Sequence, residues 1–505
     1  MDYLITILQH ILHSYKIEGD RMEICKILHS DPAYPSAISI IRTLSFWGIC
    51  TCAYKTDFEH LTREAKGKIV HCNLNGGRFF FVKKITSCDI TLYDGATHLL
   101  TTKEFLNIWQ GIVLVIESYS PIAQKRLSLP HRNLFSLTII YYIVAMLAFR
   151  QNAILLTIGG IGFALSYFLL LKTTLKYVDL PFCNHGKLID CESVSNSNPF
   201  VRNSKLNLPV MGCFYFLFIL LSSSHDGVGS LYVLISASGA LVVFYLMLFQ
   251  FVILKKICIY CLGISILVIS IFVIMYTTIP FSTISLRITL NDILAAIASG
   301  TISFLLLSSL RYKQKSASKE IALLKLKRAP GMFEHFLKNN RKLCLTSENA
   351  LIYGADKGIY TIDTIIDLDC KHCRSLVQEM QNIMRRYHQL ITWRLYIDGE
   401  DINVRKSKLQ PLQIIEEYRI NKQRSLDYIS KGKQNRISVI TDETTRKYKG
   451  ISDEIRNIRI NHYPTVIFNG VEFPKEYKVS DVDLLINDWC QKEYAFSQSS
   501  NPPLK

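Results

Sequence analysis

The chain has 505 residues, of which 49% are hydrophobic, a mean hydropathy of +0.19 and a formal net charge of +17. That length suits about three domains, and long uncharged runs in its middle argue for membrane spans. The basic residues do not form a nucleic-acid motif. They gather beside the apolar runs (Lys125, Arg126 and Arg132 before the first; Arg311, Lys313 and Lys315 after the last) and along a lysine-rich tail, as expected at a membrane surface.

In chain order, residues 1–120 pass from helical patterns over Leu4 to Tyr15, Arg21 to His29 and Ser36 to Phe46 to strand patterns over Lys68 to Cys72, Phe79 to Val82, Ile90 to Tyr93 and Gly111 to Glu117. Met1-Asp2-Tyr3-Leu4 lacks the basic start and apolar core of a cleavable signal, so the first span is expected to act as the targeting signal. The order of these elements, with Tyr34-Pro35-Ser36 opening a helix, resembles the cysteine-peptidase domain that trims double-glycine leaders on peptide exporters. That chemistry needs a Cys near the first helix, a His on the strand after an Asn-Gly turn, and an Asp or Asn to orient the His. Here the first helix has no Cys, Arg78 follows Asn75-Gly76-Gly77, and Asp94 alone fits the orienting position. The resemblance therefore implies a degenerate, papain-like α+β peptidase domain that holds an extended peptide without cutting it. Cys25, Cys50, Cys52, Cys72 and Cys88 read as core or spare thiols, and the Cys50-Thr51-Cys52 spacing has no ready account.

Six apolar runs follow, at about 134–149, 152–171, 208–223, 229–254, 257–279 and 293–310, against the roughly 20 residues a spanning helix needs. Between the second and third lies Cys183-Asn184-His185-Gly186-Lys187-Leu188-Ile189-Asp190-Cys191, a spacing suited to a flexible redox loop that faces two partners in turn. Cys258-Ile259-Tyr260-Cys261 opens the fifth run just after Lys255-Lys256, where a helix N-terminus and two ammonium groups favour thiolate. A Cys-x-x-Cys alone is half a zinc site, a redox pair or a coincidence.

A second such pair sits downstream. Residues 359–368 read as a buried strand that delivers Cys370-Lys371-His372-Cys373 to the start of a helix running through Arg385-Arg386. This is the thioredoxin arrangement, with Cys370 as nucleophile, Cys373 as resolving thiol and His372 tuning the pair toward oxidation. Tyr463-Pro464 before the strand Val466 to Phe468 matches the thioredoxin-like cis-proline that meets substrate backbone, while residues 405–456 read as a charged helical insertion. With 112 residues between the two Cys-x-x-Cys pairs, one of them in a span, a shared zinc site is not expected.

The loop pair, Ser197, Gly212 and Cys258-Ile259-Tyr260-Cys261, in that order, resemble the vitamin K epoxide reductase family in its form fused to a thioredoxin-like domain. The resemblance implies a multi-domain α-helical membrane protein: a degenerate peptidase-like domain over 1–125, an extra helix over 130–150, a four-helix bundle within 151–312 and an α/β thioredoxin-like domain over 330–495. It further implies a quinone beside Cys261 with Ser197 as a nearby polar group, exchange between Cys258 and the loop, and no metal. Tyr463 and Pro464 would meet reduced secreted or periplasmic proteins or peptides. The expected activity is quinone-coupled disulfide formation from the inner membrane, the thioredoxin-like domain facing the periplasm because stable disulfides need an oxidising compartment. Loop charge argues the other way, since Lys125, Arg126, Lys255, Lys256, Arg311 and Lys313 would lie outside. Two other functions stay open: a peptide-binding accessory of an exporter, and reduction of a quinone epoxide by dithiols.

Overall fold

The computed structural model describes residues 3–119, 153–175, 208–223, 230–278, 290–398, 410–432 and 439–500, apart from 18, 64–66, 75, 87, 256, 459 and 461, with side chains to 489. The chain divides into two compact units. One covers Arg126–Glu320; the other joins Asp2–Lys125 to Ile321–Lys505.

In the N-terminal segment, helices α1 (Tyr3–Ser14), α2 (Arg21–His29) and α3 (Ala37–Phe46) precede an antiparallel sheet in the order β1-β6-β2-β3-β4-β5. Asp20 starts α2 by accepting the Met22 N–H at 3.3 Å, supplying one of the donors that a helix start leaves open with a partner. Strands β2 (Lys68–Cys72), β3 (Arg78–Ile85), β4 (Asp89–Tyr93) and β6 (Trp109–Tyr119) lie where the alternation predicts them. The sheet also has two edge strands that the pattern hides, β1 (Ile49–Lys55) and β5 (Thr97–Thr101), whose outer residues are polar or exposed. Cys50-Thr51-Cys52 thereby gains an account: it lies on edge strand β1, at a break in register with β6. Helices α4 (Phe58–Arg63) and α5 (Thr102–Ile108) complete the segment.

The described residues of the unit Arg126–Glu320 are mainly helical. Its helices are α6 (Ala153–Thr174), α7 (Leu208–Ser222), α8 (Ser230–Leu248), α9 (Ile259–Thr278) and α10 (Leu290–Lys327). Four of these spans are long and apolar enough to cross a membrane, and α7, with 15 residues, is shorter. Between helices in lipid there is little hydrophobic drive, so close packing rests on small residues. At Gly162 of α6 a Cβ would fall 2.1 Å from the Phe216 ring, and at Gly212 of α7 it would fall 2.7 Å from Ser166 Oγ. Helix α8 widens into a π-helical segment, Phe249–Leu254, closed by Lys255 in the left-handed region (φ 50°).

After α10 and the short α11 (Met332–Lys338), the C-terminal segment forms a five-stranded sheet in the order β11-β10-β8-β9-β7. Its strands are β7 (Leu351–Gly354), β8 (Tyr360–Asp367), β9 (Ile391–Asp398), β10 (Thr465–Phe468) and β11 (Val471–Glu472). The β8–β9 pair is parallel, bridged by α12 (Lys371–Tyr387), and the others are antiparallel. Asn469 and Gly470, both at positive φ, make the tight turn between β10 and β11. Helices α13 (Pro411–Ile420), α14 (Lys422–Lys431) and α15 (Asp442–Ile458) form the insertion, and α16 (Val479–Ser500) closes the domain. This is a thioredoxin-like fold.

The two soluble segments meet in a buried ion network. Arg328, the residue after α10, donates to Asp488 of α16 at 2.7 and 2.8 Å, to Asp31 at 3.1 Å, and to the Ile27 carbonyl and Ser30 Oγ at 2.8 Å each. Arg42 of α3 completes it, 3.2 Å from Asp31. All four charged residues are less than 10% exposed. The Arg386 guanidinium, at the C-terminal end of α12, stacks 4.0 Å over the Phe46 ring.

Candidate active site: two dithiols at helix starts

Both Cys-x-x-Cys pairs stand at the first turn of a helix, and the backbone does the same thing in each. The Cys373 N–H donates to Cys370 Sγ at 3.4 Å, and the Cys261 N–H donates to Cys258 Sγ at 3.5 Å. The first sulfur thus caps the helix and faces the positive end of its dipole. Cys370 is the N-cap of α12, and the Cys258 carbonyl accepts the Leu262 N–H at 2.9 Å as α9 begins.

The pairs differ in which sulfur is accessible. In the soluble pair Cys370 is half-buried while Cys373 has no exposure, and burial pushes the Cys373 thiol up to about 12. His372 beside it is exposed. The Tyr463–Pro464 peptide bond is cis, Tyr463 is 37% exposed, and its hydroxyl donates to Asp398 at the end of β9. In the apolar helical unit the order is reversed: Cys258 is 1% exposed and packs against Leu254, Tyr260 and Cys261, whereas Cys261 lines a cavity of about 230 Å³.

That cavity is mainly apolar, with Leu169, Phe214, Val242 and Ile264 among its walls, and its polar groups are Ser166, Tyr215, Ser238, Gln250 and Ser265. Ser265 Oγ is spent on the Cys261 carbonyl at 2.8 Å, while buried Ser166 Oγ makes no hydrogen bond among the described residues. Mostly apolar walls with a few placed polar groups are the ordinary form of a small-molecule site, and these walls suit an apolar, lipid-soluble ligand. Cys183, Cys191 and Ser197, singled out in the sequence, lie outside the described residues. No group of three or more metal-ligating side chains occurs among the described residues.

The N-terminal segment keeps the outline of a third site. Arg78 opens β3, with its Nη1 3.8 Å from Asp94 Oδ2, and its guanidinium lies 5.2 Å from the centre of the Tyr3 ring in the first turn of α1. Arg78 and Asp94, the residues that the sequence compares with the peptidase His and its orienting Asp, thus lie beside each other. Sequence reasoning missed His98, whose Nε2 sits 2.9 Å from Asp94 Oδ1 across the β4–β5 hairpin. It also missed Gln250, Ser166 and the Arg328 network.

The model of the vitamin K epoxide reductase family matches residues 153–276, and that of the peptidase C39 family matches residues 1–120. No curated protein matches the chain. Solved structures similar to it include BdbD from Bacillus subtilis in its oxidised form (13% identity, covering 31% of this chain and 98% of that one, TM-score 0.24). A periplasmic thioredoxin-like protein from Salmonella enterica serovar Typhimurium is similar at 12% identity, covering 32% and 97%, with a TM-score of 0.23. By the two family matches and the strand order of its C-terminal segment, the chain joins a peptidase C39-like segment, a vitamin K epoxide reductase-like membrane segment and a thioredoxin-like domain.

Proposed function

We propose that this protein is a membrane thiol–disulfide oxidoreductase that takes electrons from the dithiols of secreted or periplasmic proteins and delivers them to a quinone. The single observation that carries this reading is the reversed exposure of two otherwise matching dithiols: Cys370 opens toward water, and Cys261 opens into an apolar cavity. Bound there, a quinone supplies a two-electron, two-proton acceptor.

The chain's own part is a series of thiol–disulfide exchanges. Oxidised Cys370/Cys373 accepts attack by a client thiol at Cys370, the accessible sulfur, with Tyr463 and cis-Pro464 beside the client backbone. Resolution of that mixed disulfide leaves the client oxidised and Cys370/Cys373 reduced. Cys191 and Cys183 then relay the electrons to Cys258/Cys261. Exchange at Cys258 requires its covered sulfur to be freed at the start of α9. Cys261, on the cavity, is the thiol nearest the acceptor, with Ser166 among the polar groups able to hold it and Ser197 a further candidate. The thioredoxin-like domain would face the periplasm, and the packing of both soluble segments into one unit supports placing them on the same side of the inner membrane.

Replacing Cys261 with Ala tests the assignment. Quinone reduction by dithiol-reduced protein should fall by about a thousandfold or more, to background. Undiminished turnover would refute it.

The peptidase C39 match over residues 1–120 supports a second, compatible reading in which the N-terminal segment holds an extended peptide as an accessory of an exporter. That reading predicts peptide binding that survives loss of all six redox cysteines.

A further inference from the structure

Gln250 is a buried primary amide in an otherwise apolar helix, 7% exposed, and such groups are costly in a membrane unless they are used. Regular α-helical winding ends just before it. The π-helical segment Phe249–Leu254 starts one residue earlier, and single π-turns of this kind are concentrated at functional sites.

The amide's orientation is set by chemistry. Its Oε1 accepts the Cys258 backbone N–H at 3.4 Å, and since that N–H can only donate, the oxygen must face Cys258. The amide nitrogen is left without a hydrogen bond among the described residues, and Gln250 lines the cavity that also contains Cys261. With Ser265 committed to the Cys261 carbonyl and Ser238 to that of Ile235, the Gln250 NH₂ is a pre-set donor in this mainly apolar cavity.

We propose that Gln250 donates a hydrogen bond to a carbonyl oxygen of the quinone and so selects a dione over a ring of the same shape without carbonyls. This rests on the quinone reading above. Oxidation of the Cys258 and Cys261 thiols to a disulfide releases two electrons and two protons, which reduce the dione to the diol. Negative charge grows on the carbonyl oxygens during that transfer, where a fixed donor stabilises it most. Because the same amide grips the Cys258 backbone, the donor is held in register with the dithiol.

The test is binding, in the absence of chemistry. In the full chain carrying Cys261→Ser in nanodiscs, the affinity for 2-methyl-1,4-naphthoquinone is measured against that for 2-methylnaphthalene, with and without Gln250→Met, which keeps length and volume but removes the donor. The dione should be preferred by the Gln250 protein, and Gln250→Met should cut dione affinity about three- to tenfold while leaving the hydrocarbon unchanged, the size of one hydrogen bond. Gln250→Asn, which retains an amide, serves as a second variant should Gln250→Met not fold, and a smaller selective loss of dione affinity is expected from it. Equal loss for both ligands, or no loss, overturns the role of Gln250 and leaves the quinone reading intact. If the Gln250 protein itself binds neither ligand, the quinone reading falls too.

Discussion

Cys258/Cys261 and Cys370/Cys373 are built on one backbone plan, a helix start in which the second cysteine's N–H points at the first cysteine's sulfur, yet they offer opposite ends of the motif to their surroundings. In the soluble pair the strand β8 ends at the surface and lifts Cys370 out, while the core of the sheet covers Cys373. In the apolar pair Lys255 turns the chain back into the helices, so Cys258 is covered and Cys261, one turn further, reaches the cavity. The lesson is that a Cys-x-x-Cys sets the spacing of two sulfurs, and the packing around its helix decides which one reacts and with what.

The largest expected effect lies within the soluble pair. A thiol pushed up to about 12 is only about one part in ten thousand thiolate at pH 8. In reduced protein, iodoacetamide followed by mass spectrometry should therefore modify Cys370 and spare Cys373, with labelling of Cys373 rising only toward pH 12. The same shift makes the reduced domain lose stability as pH climbs from the ordinary thiol range through about 12, because the unfolded chain ionises first. Rapid labelling of Cys373 at neutral pH would erase the contrast between the pairs.

A smaller effect separates the frames that hold them. Arg328→Met leaves Arg42 as the remaining cation shared by buried Asp31 and Asp488, at a cost of about 3 kcal/mol. Limited proteolysis should then release the N-terminal segment, with the thioredoxin-like domain melting earlier, while quinone reduction by a small dithiol supplied directly to the Cys258/Cys261 pair stays unchanged. An intact, equally stable soluble unit would show that the network is dispensable.

Much of this architecture is legible in the amino-acid sequence. Helices with a strict apolar period, such as Arg21 to His29, and strands with both faces defined, such as Lys68 to Cys72, lie within a residue or two of where their patterns put them. Helix α12 and cis-Pro464 likewise fall where the Cys-x-x-Cys and Tyr-Pro signals point. What stays hidden has physical causes. Strand β1 is an edge whose exposed residues break the alternation. Arg328, Asp31 and Asp488 meet across separations of about 300 and 160 residues, and no local pattern marks such a contact. Gln250 looks like a stray polar residue in Phe249 to Leu254, because a change from α to π winding leaves no periodic signature over so short a stretch.

The most direct test of the relay is mass mapping of mixed disulfides trapped in variants lacking one cysteine of each pair. With Cys373→Ser, the client should be found on Cys370; with Cys261→Ser, Cys258 should be found on Cys183 or Cys191. Clients bound through Cys373 in the converse Cys370→Ser variant, or a direct Cys370–Cys258 link with no loop cysteine involved, would contradict the account.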